Sequence, residues 1–319
     1  MNQTKIRAPG WRALLSCSFA AAALVPAAAS AHGVAAIAPS SRAVATDSIT
    51  RGAVSSDSLF GRSGKLRFRL FSSSRLFALP ILERLFGNPP GDFRPGVYQA
   101  AEEIMGRPFA FISLIPFTAK AGGAMGDYRV GLWPSERRRN RSERYENPEG
   151  FIEVTPSNQD LYVSEHFRLR DFLTHDQKNV WPKYLVLREE LVDKLELVID
   201  DLVAHGVKVE HMSVMSGFRS PQYNAKGVGR GGRAPDSRHQ FGDAADVFVD
   251  NDGNGRMDDL NGDKRVDSRD ARVIMQAIER VERAHPELVG GAAPYRATKA
   301  HGPFAHIDVR GARARWGRS

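Results

Sequence analysis

Ser237-Arg238-His239-Gln240-Phe241-Gly242-Asp243-Ala244-Ala245-Asp246-Val247-Phe248-Val249 is the stretch on which the fold reading turns. Gly242 and the small Ala244 and Ala245 let the chain turn and pack tightly, and Ala245 to Val249 reads as a strand. Asp246 enters that strand, where the turn brings it back beside His239. A second stretch, His301-Gly302-Pro303-Phe304-Ala305-His306-Ile307-Asp308-Val309, ends in strand alternation that sets Phe304, His306 and Asp308 on one face. His306 can then complete a His/Asp/His set. Zinc takes nitrogen and oxygen ligands tetrahedrally, and three protein ligands leave one position for water. Any one of these histidines alone reads more simply as a hydrogen-bonded structural residue.

Working outward, Leu187, Leu191, Leu195, Val198 and Leu202 recur at helical spacing, and His205-Gly206 closes the run. A strand over Val207 to Met215 follows, then the turn Ser216-Gly217-Phe218-Arg219-Ser220-Pro221. Ala271 to Ala284 reads as a second helix and Ala305 to Val309 as a third strand. Helices flanking a small antiparallel sheet around the metal set make an α+β domain over 151–319.

These motifs carry a resemblance. Ser-x-His-x-x-Gly-x-Ala-x-Asp at 237–246, the preceding Ser-Gly-Phe-Arg-Ser at 216–220 and the later His-x-Asp strand resemble the D-Ala-D-Ala metallopeptidases. That family comprises peptidoglycan carboxypeptidases, dipeptidases, endopeptidases and phage endolysins, and it shares its zinc-site fold with the hedgehog signalling domain. The resemblance covers roughly 151–319. It implies His239, Asp246 and His306 as zinc ligands and peptidoglycan stem peptides as substrate. Arg219 is similar to the family's substrate arginine: a guanidinium there can fork onto a terminal carboxylate or stabilise an oxyanion. A salt bridge fixing the turn is its plainer role. One departure stands out. Many members place a glutamate three residues before the last histidine ligand as general base, and here that position is Pro303. Asp308 or His301 can take the proton instead, and Asp308 can alternatively orient His306. A zinc- and calcium-binding wall module without hydrolase activity is the alternative function.

An acidic insert at 250–270 follows the Asp246 strand directly. Asp250, Asp252, Asn254 and Asp258 fall at the oxygen positions of a calcium loop, with Gly255 at its sixth position. Asp259, Asn261, Asp263, Asp267 and Asp270 make an overlapping second loop, with Lys264 where glycine is usual. This stretch resembles the calcium loop and following helix of cellulosomal dockerins. Ca²⁺ is therefore expected beside Zn²⁺. A solvated acidic hairpin is the bland reading.

Composition bounds the rest. The 319 residues are 42% apolar and 26% charged, and beyond the N-terminus no apolar run reaches spanning length, which excludes a polytopic membrane protein. The single cysteine, Cys17, argues against a disulfide framework or a cysteine-ligated metal. Lys5, Arg7 and Arg12 precede an apolar core from Ala13 to Val25, and Ala29-Ser30-Ala31 fits a cleavage site. An exported, periplasmic or extracellular protein is expected, with no transmembrane segment after signal removal and no nucleic-acid partner. Removing residues 1–31 takes away three positive charges and no negative one, so the net charge of +8 becomes +5. That balance suits an anionic wall polymer. Residues 32–58 read as a flexible linker. Residues 59–150 read as a small β-containing region of unassigned role. Within it Leu66 to Leu70, Phe109 to Phe117 and Tyr128 to Trp133 are strand-like, and Leu76 to Phe86 is strongly apolar.

Overall fold

The computed structural model describes residues 59–72, 94–99, 108–137, 145–229 and 232–317. The export signal, the 32–58 linker, the apolar run at 76–86 and most of the basic run at 137–141 lie outside the described residues. The fold is α+β, with small, mainly antiparallel sheets.

The central sheet has five strands in the order β13-β11-β12-β10-β9. β9 is Met212–Ser216, β10 Ala244–Val249, β11 Gly291–Tyr295, β12 Phe304–Asp308 and β13 Ala314–Arg315. All neighbours run antiparallel except β11 and β13. Every residue of β10 and β12 is buried, so both faces of these inner strands are covered.

Two long helices supply part of that cover. α1, Glu189–Ala204, buries Leu191, Leu195, Val198, Ile199 and Leu202 and opens with Glu189 and Glu190 at its positive end. It begins two residues after Leu187, and its N-cap Arg188 gives its backbone N–H to the carbonyl of Gly242, 2.9 Å away, which ties the helix start to the His239 turn. α3, Ser268–Ala284, packs against α1 and against β11 and β12. Its N-cap is Asp267, which with Asp270 forms a reciprocal capping box. Between them lies the short α2, Pro221–Ala225, capped by the Ser220 hydroxyl. The strand expected from Val207 is confined to β9, and β11 and β13 were not anticipated by the alternation.

The earlier part of the chain forms β1 (Phe68–Phe71), β2 (Gly96–Gln99) and β3 (Ala110–Ser113), in the order β1-β3-β2. β4 (Ile115–Pro116), β7 (Gly150–Val154) and β8 (Lys183–Leu185) make a further sheet, and β5 (Ala124–Met125) with β6 (Tyr128–Arg129) a short hairpin. Apolar side chains from Leu66 to Val309 belong to one buried cluster. Trp133 lies at its aromatic centre, fully buried between Phe117, Phe151 and Phe218, with ring centroids 5.2, 5.7 and 6.5 Å away. Among the described residues no helix is long and apolar enough to cross a membrane.

Candidate metal centre

Strand register makes the site. Asp246 on β10 pairs directly with His306 on β12 and with Ser216 on β9. Directly paired residues of antiparallel strands project from the same face. The β9–β10 ladder slips between Asp246 and Val247, a bulge beside the ligand. His239 arrives on a single 3₁₀ turn, Arg238–Phe241. Gly242 ends that turn with φ 66°, and a Cβ there would stand 2.4 Å from the backbone of Val186. Both its left-handed backbone and its lack of space call for glycine. The buried pair Arg238–Asp243 closes the turn, and Trp133 Nε1 donates to the Gln240 carbonyl at 2.8 Å.

His239, Asp246 and His306 are each more than nine-tenths buried, and their donor atoms lie within 4.8 Å of one another. His239 Nε2 is 3.2 Å from His306 Nδ1 and 3.3 Å from Asp246 Oδ1, while His306 Nδ1 is 2.9 Å from the same oxygen. Ligand atoms held about 2.0–2.1 Å from a tetrahedral zinc stand about 3.3 Å apart. The outer ring nitrogens are already spent. His239 Nδ1 donates to the Gly217 carbonyl at 2.7 Å and His306 Nε2 donates to Asp308 Oδ2 at 3.1 Å. Each imidazole therefore turns its second ring nitrogen inward, toward Asp246 Oδ1, the nitrogen a metal ligand would use. The donor set fits zinc.

The electrostatics agree with that geometry. Burial holds the His239 imidazole down to about 4, so it is neutral near pH 7. Burial pushes the Asp246 carboxyl up, but His239, His306 and Arg219 outweigh it and hold the group well below its ordinary value. Burial lowers His306, yet hydrogen bonds to Asp246 and Asp308 raise it overall. Two carboxylates thus draw positive charge into the cluster.

Arg219 stands at the edge of the centre. Its guanidinium pairs with Asp246 Oδ2, and its Nε donates to Ser216 Oγ at 2.8 Å. Asp308 does not face the three ligands. It accepts from Gly291 N at 2.6 Å, from Arg310 and from the outer nitrogen of His306. A Cβ at residue 291 would fall 2.4 Å from Asp308 Oδ2, so glycine is needed there for close approach. Its oxygens are engaged behind His306, in the position of the orienting partner that the sequence offered as one of its two roles. His301 donates through Nδ1 to the Gly302 carbonyl at 2.8 Å and packs edge-on against Phe304, leaving Nε2 open among the described residues.

Several contributors escaped the sequence reading. Trp133 braces the His239 turn from far upstream. Thr174 donates to the Phe218 carbonyl and accepts from Ser220 N, which fixes the Arg219 turn. Trp316 packs its ring 5.2 Å from His306 and donates to the Tyr295 hydroxyl at 2.8 Å. Only Ser216 carried a signal, as the first residue of the Ser-Gly-Phe-Arg-Ser turn.

In the acidic insert, Asp250, Asp252 and Asp258 bring carboxylate oxygens within 4.8 Å of one another. Asp250 accepts from the backbone N–H of Asn254 and Gly255, and the Asn254 side chain donates to Asp252. Asp259 and Asn261 accept from backbone N–H groups of the next turn, where Lys264 has φ 65°. Arg269 Nη1 lies 2.6 Å from Asp263 Oδ2, and the same guanidinium holds Asp267 down to about 2. Asp270 is fully buried and accepts from Leu260 N and Asp267 N. The second loop thus already contains a cation, supplied by the chain.

A cleft of about 530 Å³, lined by Glu149, Arg188, Glu190, Arg238 and Arg310 among others, includes none of the three ligands. Its Arg310 pairs with Asp308 behind His306, and its Arg238 pairs with Asp243 on the His239 turn. Comparison of the chain with protein-family models, curated proteins and solved structures finds no match.

Proposed function

We propose that this is an exported zinc-dependent peptidase that cleaves D-amino-acid peptide bonds in peptidoglycan stem peptides or cross-links. The observation that carries the reading is the inward convergence of three buried donors whose outer nitrogens are already satisfied. The substrate class rests on the sequence resemblance alone.

His239 Nε2, Asp246 Oδ1 and His306 Nδ1 would hold the metal. When bound, zinc supplies Lewis acidity toward a peptide carbonyl and toward water. Asp308 fixes the tautomer and direction of His306, and the Gly217 carbonyl does the same for His239. Arg219 keeps Asp246 ionised and turned inward, and its uncommitted amino group offers a donor to a substrate carboxylate. His301 Nε2 takes the proton and returns it to the leaving amine. Asp250, Asp252 and Asp258 bind Ca²⁺ and stiffen the loop that leaves β10, the strand of Asp246.

A specific observation favours a second reading, a non-catalytic wall-binding module. Pro303 stands where a glutamate base is common, and Asp308 has no free oxygen. Incubating zinc-loaded protein with purified sacculi and resolving the fragments separates the two. New muropeptides support the peptidase. Unchanged sacculi that nevertheless retain the protein support the module.

A further inference from the structure

β11 and β12 form a hairpin whose last ladder pair is Tyr295 with Phe304. Two positions back, Ala293 pairs with the ligand His306. Strand alternation therefore puts Tyr295 on the sheet face that carries His306 and Asp246. The strand order sets β11 and β9 on opposite sides of the two ligand strands. Tyr295 accordingly stands across the metal centre from Arg219, which lies just past the end of β9. The Tyr295 ring lies flat on Phe304, with centroids 4.6 Å apart and planes 5° from parallel. His301 meets the same Phe304 edge-on at 5.0 Å. Phe304 thus seats the tyrosine and the histidine together at the neck of the hairpin.

Trp316 fixes the direction of the phenol. Its Nε1 lies 2.8 Å from Tyr295 Oη. An indole N–H can only donate, so it occupies an acceptor lone pair of the hydroxyl and leaves Tyr295 its own proton to offer. Among the described residues nothing accepts that proton. The indole is itself held. Its ring packs 5.2 Å from His306, the Arg310 guanidinium lies 5.4 Å from it, and a Cβ added at residue 291 would meet it at 2.9 Å. Tyr295 is 37% exposed and so within reach of a bound molecule. The hydroxyl is therefore half-paired, oriented and accessible, one indole away from a ligand of the metal centre. A donor aimed before the substrate arrives stabilises negative charge that develops on an oxygen in the transition state.

We infer that Tyr295 is a catalytic residue whose hydroxyl donates a hydrogen bond to the scissile carbonyl oxygen as negative charge grows there, with Trp316 as its positioning residue. This role rests on the peptidase reading. It adds a phenol donor on the β11 side to the Arg219 guanidinium on the β9 side, so that a substrate over the metal centre is met from both flanks. No proton leaves the phenol, and the proton transfer given to His301 is unaffected.

Binding tests this without requiring turnover. Zinc-loaded full-length protein is titrated calorimetrically with two uncleavable analogues of D-alanyl-D-alanine. One is a phosphinate, whose tetrahedral phosphorus carries charge as the transition state does; the other is a ketomethylene isostere, which keeps a planar carbonyl. Tyr295→Phe should weaken the phosphinate about 100-fold and the ketomethylene isostere about twofold at most. Trp316→Phe leaves the phenol present but unaimed, and should weaken the phosphinate about tenfold. Y295F should keep its zinc content and melting temperature. Equal losses for the two analogues, or none, would overturn the donor and leave Tyr295 as packing for Phe304. So would a phosphinate that fails to bind the unsubstituted protein. Turnover reports separately on the peptidase, where Y295F should lower kcat about 100-fold with little change in KM. Phosphinate selectivity that depends on Tyr295, without cleavage of peptide or sacculi, keeps the donor and removes the hydrolase. Cleavage that is untouched in Y295F keeps the hydrolase and removes the donor.

Discussion

Residues 239, 246 and 306 reach one point from three separate elements, whereas Asp250, Asp252 and Asp258 meet within a single loop. The difference lies in what else satisfies each donor. In the first cluster the outer atoms are hydrogen-bonded, and the two inner ring nitrogens face each other and Asp246 Oδ1. In the second, backbone N–H groups of the loop already reach the carboxylates, and in the adjoining loop Arg269 contributes the positive charge. A site of the first kind has Arg219 on the outer oxygen of Asp246, but among the described residues its inner donor atoms meet only one another. A site of the second kind has a partial substitute for a cation. Metal loss should therefore be severe at the first and graded at the second.

The largest expected effect is at His239. His239→Ala removes one of three ligands and leaves a buried carboxylate opposite a lone imidazole. Zinc measured after dialysis should fall from about one per chain to near none. Native stoichiometry in this variant would mean that the convergence is an ordinary buried hydrogen-bond network, and the contrast between the clusters would vanish.

Asp308 gives a smaller and more discriminating effect. As the orienting partner of His306 it should influence affinity, so Asp308→Asn is expected to weaken zinc binding about 10–100-fold. Turnover at saturating zinc should be much less affected. The opposite pattern, full zinc affinity with turnover abolished, would restore Asp308 as the proton acceptor and displace His301.

How far the sequence carried these readings depends on distance along the chain. Helices α1 and α3 were legible because apolar residues three and four apart need no distant partner to declare a face. The β10 and β12 ligand segments were legible through motif spacing. Their register was not, although the pairing of Asp246 with His306 is what brings the ligands together. β11 escaped because Gly-Ala-Ala-Pro-Tyr has little strand propensity and is set by its neighbours on both sides. Trp133 escaped for a related reason. Its bond to Gln240 spans 107 positions, and nothing local distinguishes it from any other core tryptophan. Phe117, Trp133 and Phe151, in a region given no role from sequence, pack as an aromatic support against Phe218, and Trp133 also holds the His239 turn. The acidic insert was legible in composition, but the placement of Arg269 on Asp263 and Asp267 was not.

Calcium sharpens the other side of the comparison. At a free calcium concentration ten times its dissociation constant, binding to the folded state alone adds about 1.4 kcal/mol. For a domain of this size that raises the melting temperature by about 3–6 °C. Asp250→Asn should remove most of the shift, because Asp250 is the buried member of the trio. Arg269→Gln should instead enlarge it, by uncovering Asp263 and Asp267. An unchanged melting temperature after thorough chelation and readdition would make the insert a self-satisfied acidic turn.

The smallest effect comes from an imidazole–carboxylate pair that lacks a third donor. His166 Nδ1 lies 2.7 Å from Glu196 Oε2, and Glu196 is fully buried. The hydrogen bond to Glu196 raises the His166 pKa against its partial burial. Burial alone pushes Glu196 up, but His166 outweighs it and the net displacement is downward. The signs fix the window. The His166 contribution is complete below its unfolded value, about 6.5, and disappears as pH rises through the higher folded value. The Glu196 contribution is present above about 4.3 and disappears as pH falls through the lower folded value. Because His166 is partly exposed, the whole contribution stays below about 1 kcal/mol. Urea unfolding should show the unsubstituted protein more stable than His166→Gln near pH 5.5, with the gap closing by pH 8.5. Added zinc should leave that gap unchanged, since two donors without a third do not make a site. A gap that is constant with pH would identify the contact as a neutral hydrogen bond. A gap that responds to zinc would show that a histidine and a carboxylate suffice, and that the convergence of three donors at Asp246 is not what distinguishes the metal centre.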